Sequence, residues 1–430
     1  MPFIPGSSST DTTADARDAD APRGLLGEAF ARLRRKTGPD IDDLMARIIL
    51  PSLTVSDEER ARATHQDLGL KLARQDLWDE LADRIDYADE SRLATPGGES
   101  ASLLLAFGAR SDLVAAAEDA IHDGVNPDMS GMQAMEDILL EHHGRHALAM
   151  IVALSHFDIG WALQTATTSG DLAAGPETSD RIEAHFKRAA DLLLPYDPQQ
   201  LDSPSLAAAK CALLATRRHP DRRVADDYEK LITLDPDCPR HMRALGFHLL
   251  PRYYGTYDQL ELEARRTAAR TGEVWGSGGY AWVYLDALAA DDTALVRLDA
   301  DYFLEGLDHI LDIRRNQHVT NQLAAFCAIT MAPDRPRPAP LPADSDANRA
   351  RLHDYLDCIL TNHLSELHPL VWSQTMISPG LTPALPPRRV LVSTGRHAAL
   401  RAIALRFAEE IAAGKTIAFS PSGLYRLPAL

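Results

Sequence analysis

Two amphipathic helical segments in this chain each end on an Asp-Pro pair, and the pairs stand 38 residues apart. The first runs over 177–198 and closes at Tyr196-Asp197-Pro198. The second belongs to the pair 203–217 and 223–234 and closes at Leu234-Asp235-Pro236. Proline cannot continue a helix, so each pair marks a stop followed by a new start. A two-helix unit recurring at about 30–45 residues has an apolar face that is buried only by stacking on the next unit. The expected fold class is therefore all-α: an α-solenoid-like stack of helix pairs.

Helical periodicity extends well beyond these segments. Leu26, Phe30 and Leu33 share a face. Ser56 or Asp57 can cap a helix through Leu68 and Leu72. Pro96-Gly97-Gly98 is a break, after which Ser100 caps a helix through Leu103, Leu104 and Phe107, and Ser111 caps the next. Residues 130–166 form a long helical pattern that Gly144 can divide. Near the C-terminus Val390-Leu391-Val392-Ser393 reads as extended, with Thr394 capping a helix through Leu400, Ile403, Ala404, Phe407 and Ile411 that Gly414 ends. Thr416–Phe419 and Leu424–Leu427 flank the turn Ser420-Pro421-Ser422-Gly423, a small C-terminal β-hairpin.

The expected organisation has four parts. Residues 1–24, rich in Ser, Thr, Asp, Ala and Pro, lack the apolar side chains to offset ordering and read as a disordered tail. A helical repeat-like domain spans 25–332. Five prolines from Pro333 to Pro342 make 333–348 an extended linker, and a second breaker spans Pro379 to Pro387. A C-terminal helical unit with a basic tail covers 349–430.

Tyr228-Glu229-Lys230-Leu231-Ile232-Thr233-Leu234-Asp235-Pro236 resembles the end of a tetratricopeptide repeat's second helix. Leu245-Gly246 and Tyr253/Tyr254-Gly255 resemble the first helix and turn of the next repeat. The resemblance covers roughly residues 180–300, with a period of 38 where that family has about 34. Pro251 stands where the first helix would continue. The resemblance implies that glycine lets paired helices approach closely, that an aromatic fills the gap between them, and that the concave groove holds a peptide.

Eight of the 26 aromatics fall between Phe247 and Tyr284. Tyr253, Tyr254 and Tyr257 surround a Pro-Arg-Tyr-Tyr-Gly turn. With Arg252, Trp275 and Tyr280 they are candidate partner-binding residues, because aromatics beside arginine are enriched at interfaces. Arg314, Gln317, His318 and Asn321, placed on one helical face, form a polar row fit for a groove, and Arg314, His318 and Asn321 join the candidate set. Core packing is the competing assignment for the aromatics.

Other motifs lead away from catalysis. His142 and His146 share a face only if one helix carries both, and a zincin needs Glu where His143 stands. Gly414-Lys415-Thr416 lacks the upstream glycine of a phosphate loop, since Glu409 occupies that place. Gly276-Ser277-Gly278-Gly279 reads as a tight turn. Cys211, Cys238, Cys327 and Cys358 include no CxxC pair, which argues against a disulfide framework or a zinc ribbon. No metal and no cofactor is expected.

The net charge of −18 disfavours nucleic acid as a partner. From Arg388 onward the balance reverses: seven basic and two acidic residues give +5, leaving −23 for residues 1–387. Docking of this basic unit on the acidic body is the simpler expectation, and a separate acidic partner the alternative. Six lysines against 38 arginines, spread evenly, suggest a GC-rich bacterial genome. No run approaches the ~20 apolar residues of a membrane span, and the start has no apolar targeting core, so the expected compartment is cytoplasmic.

The leading functional expectation is a cytoplasmic scaffold or adaptor whose tetratricopeptide-like groove binds a protein or peptide. A basic partner suits the acidic body, and an immunity or antitoxin protein covering a basic toxin is one form of it. The alternative is an enzyme or small-molecule-binding protein with a pocket between helices, built around Trp275, Tyr280 and the histidines at 142–156.

Overall fold

The computed structural model describes residues 40–216, 224–337, 340–377 and 385–428. The tail expected at 1–24, the helix carrying Leu26, Phe30 and Leu33, and most of the 379–387 breaker lie outside them. The described chain is all-α with a small C-terminal β-hairpin.

After α1 (Ile41–Met45) and the short strand β1 (Ile48–Ile49) come α2 (Asp57–Arg74), α3 (Trp78–Glu90) and α4 (Ala101–His122). Ser56 and Glu59 cap α2 reciprocally: the Glu59 N–H donates to the Ser56 hydroxyl and the Ser56 N–H to the Glu59 carboxylate. Ser100 caps α4 as its position implies. The helix then runs unbroken through Ser111, which caps nothing. Its hydroxyl donates back to the Gly108 carbonyl at 2.8 Å within the same helix.

Next come α5 (Ser130–Glu141), α6 (His146–Ser169) and α7 (Pro176–Leu193). Gly144, at φ 81°, divides α5 from α6. His142 and His146 therefore sit on either side of a junction and share no helix face. His142 meets Asp79 at 2.9 Å and His146 meets Asp86 at 3.4 Å, tying the junction to α3. Length and composition alone would let α6 cross a membrane, but 78% of its apolar window is buried inside the protein. Leu148, Met150, Ile151, Leu154, Phe157 and Ile159 are all in the core. At about 1.5–3 kcal/mol for each large apolar side chain, this burial accounts for the helix's composition.

Then follow α8 (Pro204–Ala212), α9 (Val224–Leu234), α10 (Pro239–His248), α11 (Tyr257–Arg270), α12 (Gly272–Trp275), α13 (Gly278–Ala290), α14 (Ala300–Ile313) and α15 (Gln317–Ala325). They stack in chain order: α9 on α10, α10 and α11 on α13, α13 on α14. Nearly all of α13 is buried, as its apolar character on every face requires. At Gly246 the backbones of α10 and α13 meet, and a Cβ there would lie 1.8 Å from the Val283 carbonyl oxygen.

The last elements are α16 (Ala343–Asp354), α17 (Leu356–Asn362), α18 (Pro369–Thr375), α19 (Arg388–Arg406), α20 (Ala408–Ala412), β2 (Thr416–Ser420) and β3 (Gly423–Leu427). The run Val390–Ser393, expected to be extended, is the first turn of α19. Pro387 starts that helix, and Val390 is exposed, with no strand paired to it among the described residues. The hairpin forms as expected and gains an unforeseen neighbour, because β1 pairs in parallel with β2 through Ile48–Ile417 and Ile49–Ala418. Helix α16 begins inside the stretch 333–348. Arg388 pairs with Glu59 at 2.6 Å, and Arg406 with Asp354 and Asp357 at 3.0 Å, so part of the basic unit docks on the acidic body.

Two apolar cores result. One spans residues 72–213 and the other joins 44–50 to 207–419. Helix α8 serves both: Leu206 and Ala209 face the first core, Ala207 and Cys211 the second. Asp89, at the end of α3, reinforces this joint. It accepts hydrogen bonds from the hydroxyls of Ser102, Ser203 and Ser205.

The first core also contains a histidine pair. His156 and His185 share a hydrogen bond between Nδ1 atoms at 2.9 Å, and His156 Nε2 meets Glu136 at 3.0 Å. Burial, then the neighbouring His156 and Arg181, hold His185 down to about 4. An unfolded histidine titrates near 6.5. Between those values the unfolded chain binds a proton that folded His185 refuses. Its contribution to stability is thus complete above about pH 6.5 and is lost as pH falls toward 4. Moving from pH 7 to pH 5 is expected to cost about 2 kcal/mol through this group. Urea unfolding at both pH values checks this: His185→Gln should show a smaller loss than the parent chain, and an equal loss would refute it.

Candidate functional site

Of the aromatic candidates, Trp275 and Tyr280 are 1% and 0% exposed and belong to the second core. Trp275 Nε1 donates to the Pro236 carbonyl at 2.8 Å. The Tyr280 and Tyr284 hydroxyls donate to Glu261 at 2.6 and 2.8 Å. Burial, then Glu261, pushes the Tyr280 hydroxyl well above its ordinary range. These two residues act in packing, because no partner surface reaches them. The histidines at 142–156 lie against the other core, so the pocket expected from combining them with Trp275 and Tyr280 does not form.

The turn between α10 and α11 differs. Arg252 is exposed and Tyr253 half-buried. The Arg252 guanidinium lies over the Tyr253 ring at 4.9 Å and the Phe247 ring at 5.6 Å. Tyr254 donates to the Ala215 carbonyl at 3.1 Å, and Tyr257 to Asp291 at 2.8 Å. The turn is thus pinned from beneath while Arg252 and the edge of Tyr253 face outward.

The polar row separates into three roles. Arg314 ends α14 and does not share the α15 face with His318. It lies over the Trp275 ring at 5.0 Å and pairs with Asp237. Asn321 is 0% exposed and uses all its bonding capacity. It donates to the Gln317 and Glu366 carbonyls at 2.8 and 2.9 Å, and accepts from the His368 N–H at 3.0 Å and Trp372 Nε1 at 2.9 Å. Asn321 therefore clamps α15 to the 366–372 segment, not to a ligand. His318 turns toward a charged cleft where the two halves of the molecule meet.

The cleft is built by three segments. Helix α2 contributes Arg62 and Gln66, the segment from Glu99 into α4 contributes Glu99, Ser100, Leu103 and Phe107, and the start of α10 contributes Cys238, Arg240 and His241, with Glu58 and the Pro96-Gly97-Gly98 break close behind. Glu58 accepts from the Thr95 hydroxyl at 2.8 Å and the Gly97 N–H at 2.5 Å. Glu99 pairs with Arg62 at 2.9 Å and Arg240 at 3.0 Å. A Cβ at Gly97 would sit 2.8 Å from the Glu58 and His318 side chains, so a larger residue there would push both aside. Burial raises the Glu58 carboxyl despite the bonds from Gly97 and Thr95. Burial acts the same way on Glu99, but Arg240 and Arg62 outweigh it and hold that carboxyl low. His318 is pushed down to about 4 by burial and by His368. A carboxyl shifted upward and a histidine shifted downward thus both adjoin Gly97. Groups shifted in this way cluster at functional sites.

At one wall of the cleft stand Asp235, Cys238 and His241, all buried, offering one ligand atom each within 4.8 Å of one another. Asp235 follows α9, Cys238 caps α10, and His241 lies in the first turn of α10. His241 Nε2 is 3.4 Å from the Asp235 carboxylate and makes no hydrogen bond of good geometry among the described residues. Burial opposes the charged form of His241, yet Cys238 and Asp235 raise it to about 10. Cys238 Sγ donates to the Gly98 carbonyl at 3.3 Å, across 140 residues of sequence. The space beside Cys238 and His241 is about 20 Å³, enough for one water-sized group.

Sequence reasoning treated Asp235 as a helix stop and Cys238 as a buried thiol. The signal that could have found them is the even spacing Asp-x2-Cys-x2-His across a helix start. No protein-family model, curated protein or solved structure matches this chain.

Proposed function

We propose that this chain is a cytoplasmic protein-interaction module, a stack of helix pairs in the manner of tetratricopeptide repeats, which presents Arg252 and Tyr253 to a protein partner. One observation carries the reading: an exposed arginine stacked on Phe247 and Tyr253 at a turn whose neighbours Tyr254 and Tyr257 are hydrogen-bonded to the body. Arginine and tyrosine dominate binding hot spots, and anchors already held in place lose little entropy on docking. The net charge of −18 supports a basic partner, including a basic toxin if the chain is an immunity protein or antitoxin.

Affinity capture from the source cell's lysate tests this, comparing the parent chain with Arg252→Glu/Tyr253→Ala. A stoichiometric partner retained by the parent is expected to be lost from the variant, with affinity reduced about a hundredfold or more. Equal capture by both chains, at matched circular dichroism, would remove this surface from the account.

A second reading, an enzyme or small-ligand binder, is supported by the convergence of Arg62, Glu99, Arg240 and His241 on the cleft. With about 20 Å³ of space there, the ligand it suits is the size of a water or an ion.

A further inference from the structure

We infer that Asp235, Cys238 and His241 form a binding site for one divalent transition-metal ion of the zinc class. The three donors are a carboxylate, a thiol and an imidazole, each buried and each within 4.8 Å of the others. This mixture suits zinc, which takes sulfur, nitrogen and oxygen ligands together, whereas calcium and magnesium select oxygen alone.

A second observation points to an ion. His241 is 5% exposed, and its Nε2 lies at ion-pair distance, 3.4 Å, from the Asp235 carboxylate without a hydrogen bond of good geometry among the described residues. Buried polar atoms are almost always well bonded, and an ion held between this nitrogen, the Asp235 carboxylate and the Cys238 sulfur would replace a long contact with short ones. Three protein donors leave a fourth tetrahedral position. The adjoining space of about 20 Å³, lined by Cys238 and His241, has room for the water that would complete it.

The backbone presents the set without distortion. Asp235 and Cys238 bracket a Pro-Asp turn, and Cys238 and His241 stand at the cap and in the first turn of the ten-residue α10. The positive end of that helix favours the negative charge of the carboxylate and of a metal-bound thiolate. On coordination the Cys238 thiol and the His241 imidazolium each lose a proton to solvent, sulfur becomes a thiolate ligand, His241 becomes a neutral donor, and the Cys238 bond to the Gly98 carbonyl is given up. The inference does not depend on the interaction surface at Arg252.

The test is a cobalt titration of the full-length chain, stripped with a chelator and kept reduced with a phosphine. One equivalent of Co²⁺ is expected to produce a thiolate-to-cobalt charge-transfer band with the visible bands of a four-coordinate ion, and Zn²⁺ to abolish both. Cys238→Ser should remove the charge-transfer band, and Asp235→Asn should weaken binding about tenfold or more. Cys358→Ser alters the more accessible thiol and should leave the band intact. The unsubstituted protein decides the matter even if a variant fails to fold. No band at excess Co²⁺, or a band that survives Cys238→Ser, would overturn the assignment and leave these residues as a buried ion pair beside a thiol.

Discussion

Gly246→Val is expected to unfold the second half of the molecule, or to lower its stability by at least about 3 kcal/mol. Helices α10 and α13 meet at this glycine, and a Cβ would overlap the Val283 carbonyl oxygen at 1.8 Å. Backbone cannot rotate aside as a side chain can, so the helices must separate. Separation would open the layer that buries Met242, Leu245, Trp282 and Val283. Chemical denaturation followed by tryptophan fluorescence measures this, since Trp275 and Trp282 both lie in that core. A loss under about 1 kcal/mol, the ordinary penalty range for a tolerated core change, would mean that α10 and α13 are not in backbone contact.

Asp89→Ala is expected to cost about 3–5 kcal/mol. The substitution strips the acceptor from three buried hydroxyls, those of Ser102, Ser203 and Ser205, and from the Ser205 backbone N–H. Each buried group left without a partner costs about 1–3 kcal/mol. The bonds tie α3 to α4 and to α8, the helix that both cores share, so the loss should appear as uncoupling. Urea unfolding of the variant is expected to resolve two transitions where the parent has one. Asp89→Asn keeps one carbonyl acceptor and should lose less. Equal and small effects of both substitutions would show that the serines find other partners.

The sequence carries much of this fold because much of it is set locally. The Ser56–Glu59 capping box, the cap at Ser100, the break at Gly144 and the C-terminal hairpin each depend on a few adjacent residues. Local signals also misled where tertiary context decided. Val390–Ser393 has strand-forming residues, but the proline before Arg388 starts a helix, and no strand among the described residues pairs with it. Ser111 has the chemistry of a cap, but inside α4 its hydroxyl simply bonds back to Gly108. Strand β1 is two residues long and pairs with a partner nearly 370 residues away, a distance no periodicity reports.

The same limit applies to the candidate sites. Trp275, Tyr280 and Asn321 have the residue types of an interface, and only the packing of α12, α13 and α15 shows them to be buried. The Asp235-Cys238-His241 spacing stands in plain sight in the sequence. Its apposition to Gly98 and Glu99 does not, because the break at 96–98 reaches it only through the crossing of the two halves.

The central claim, that the Arg252–Tyr253 turn meets a protein partner, is tested most directly by placing a photo-crosslinking amino acid at position 253 in the source cell. A matched probe at Tyr425, exposed on the terminal hairpin, serves as the control. The account expects one discrete cross-linked product from position 253 and none from position 425. No product at 253, or a product at 425 alone, would contradict it.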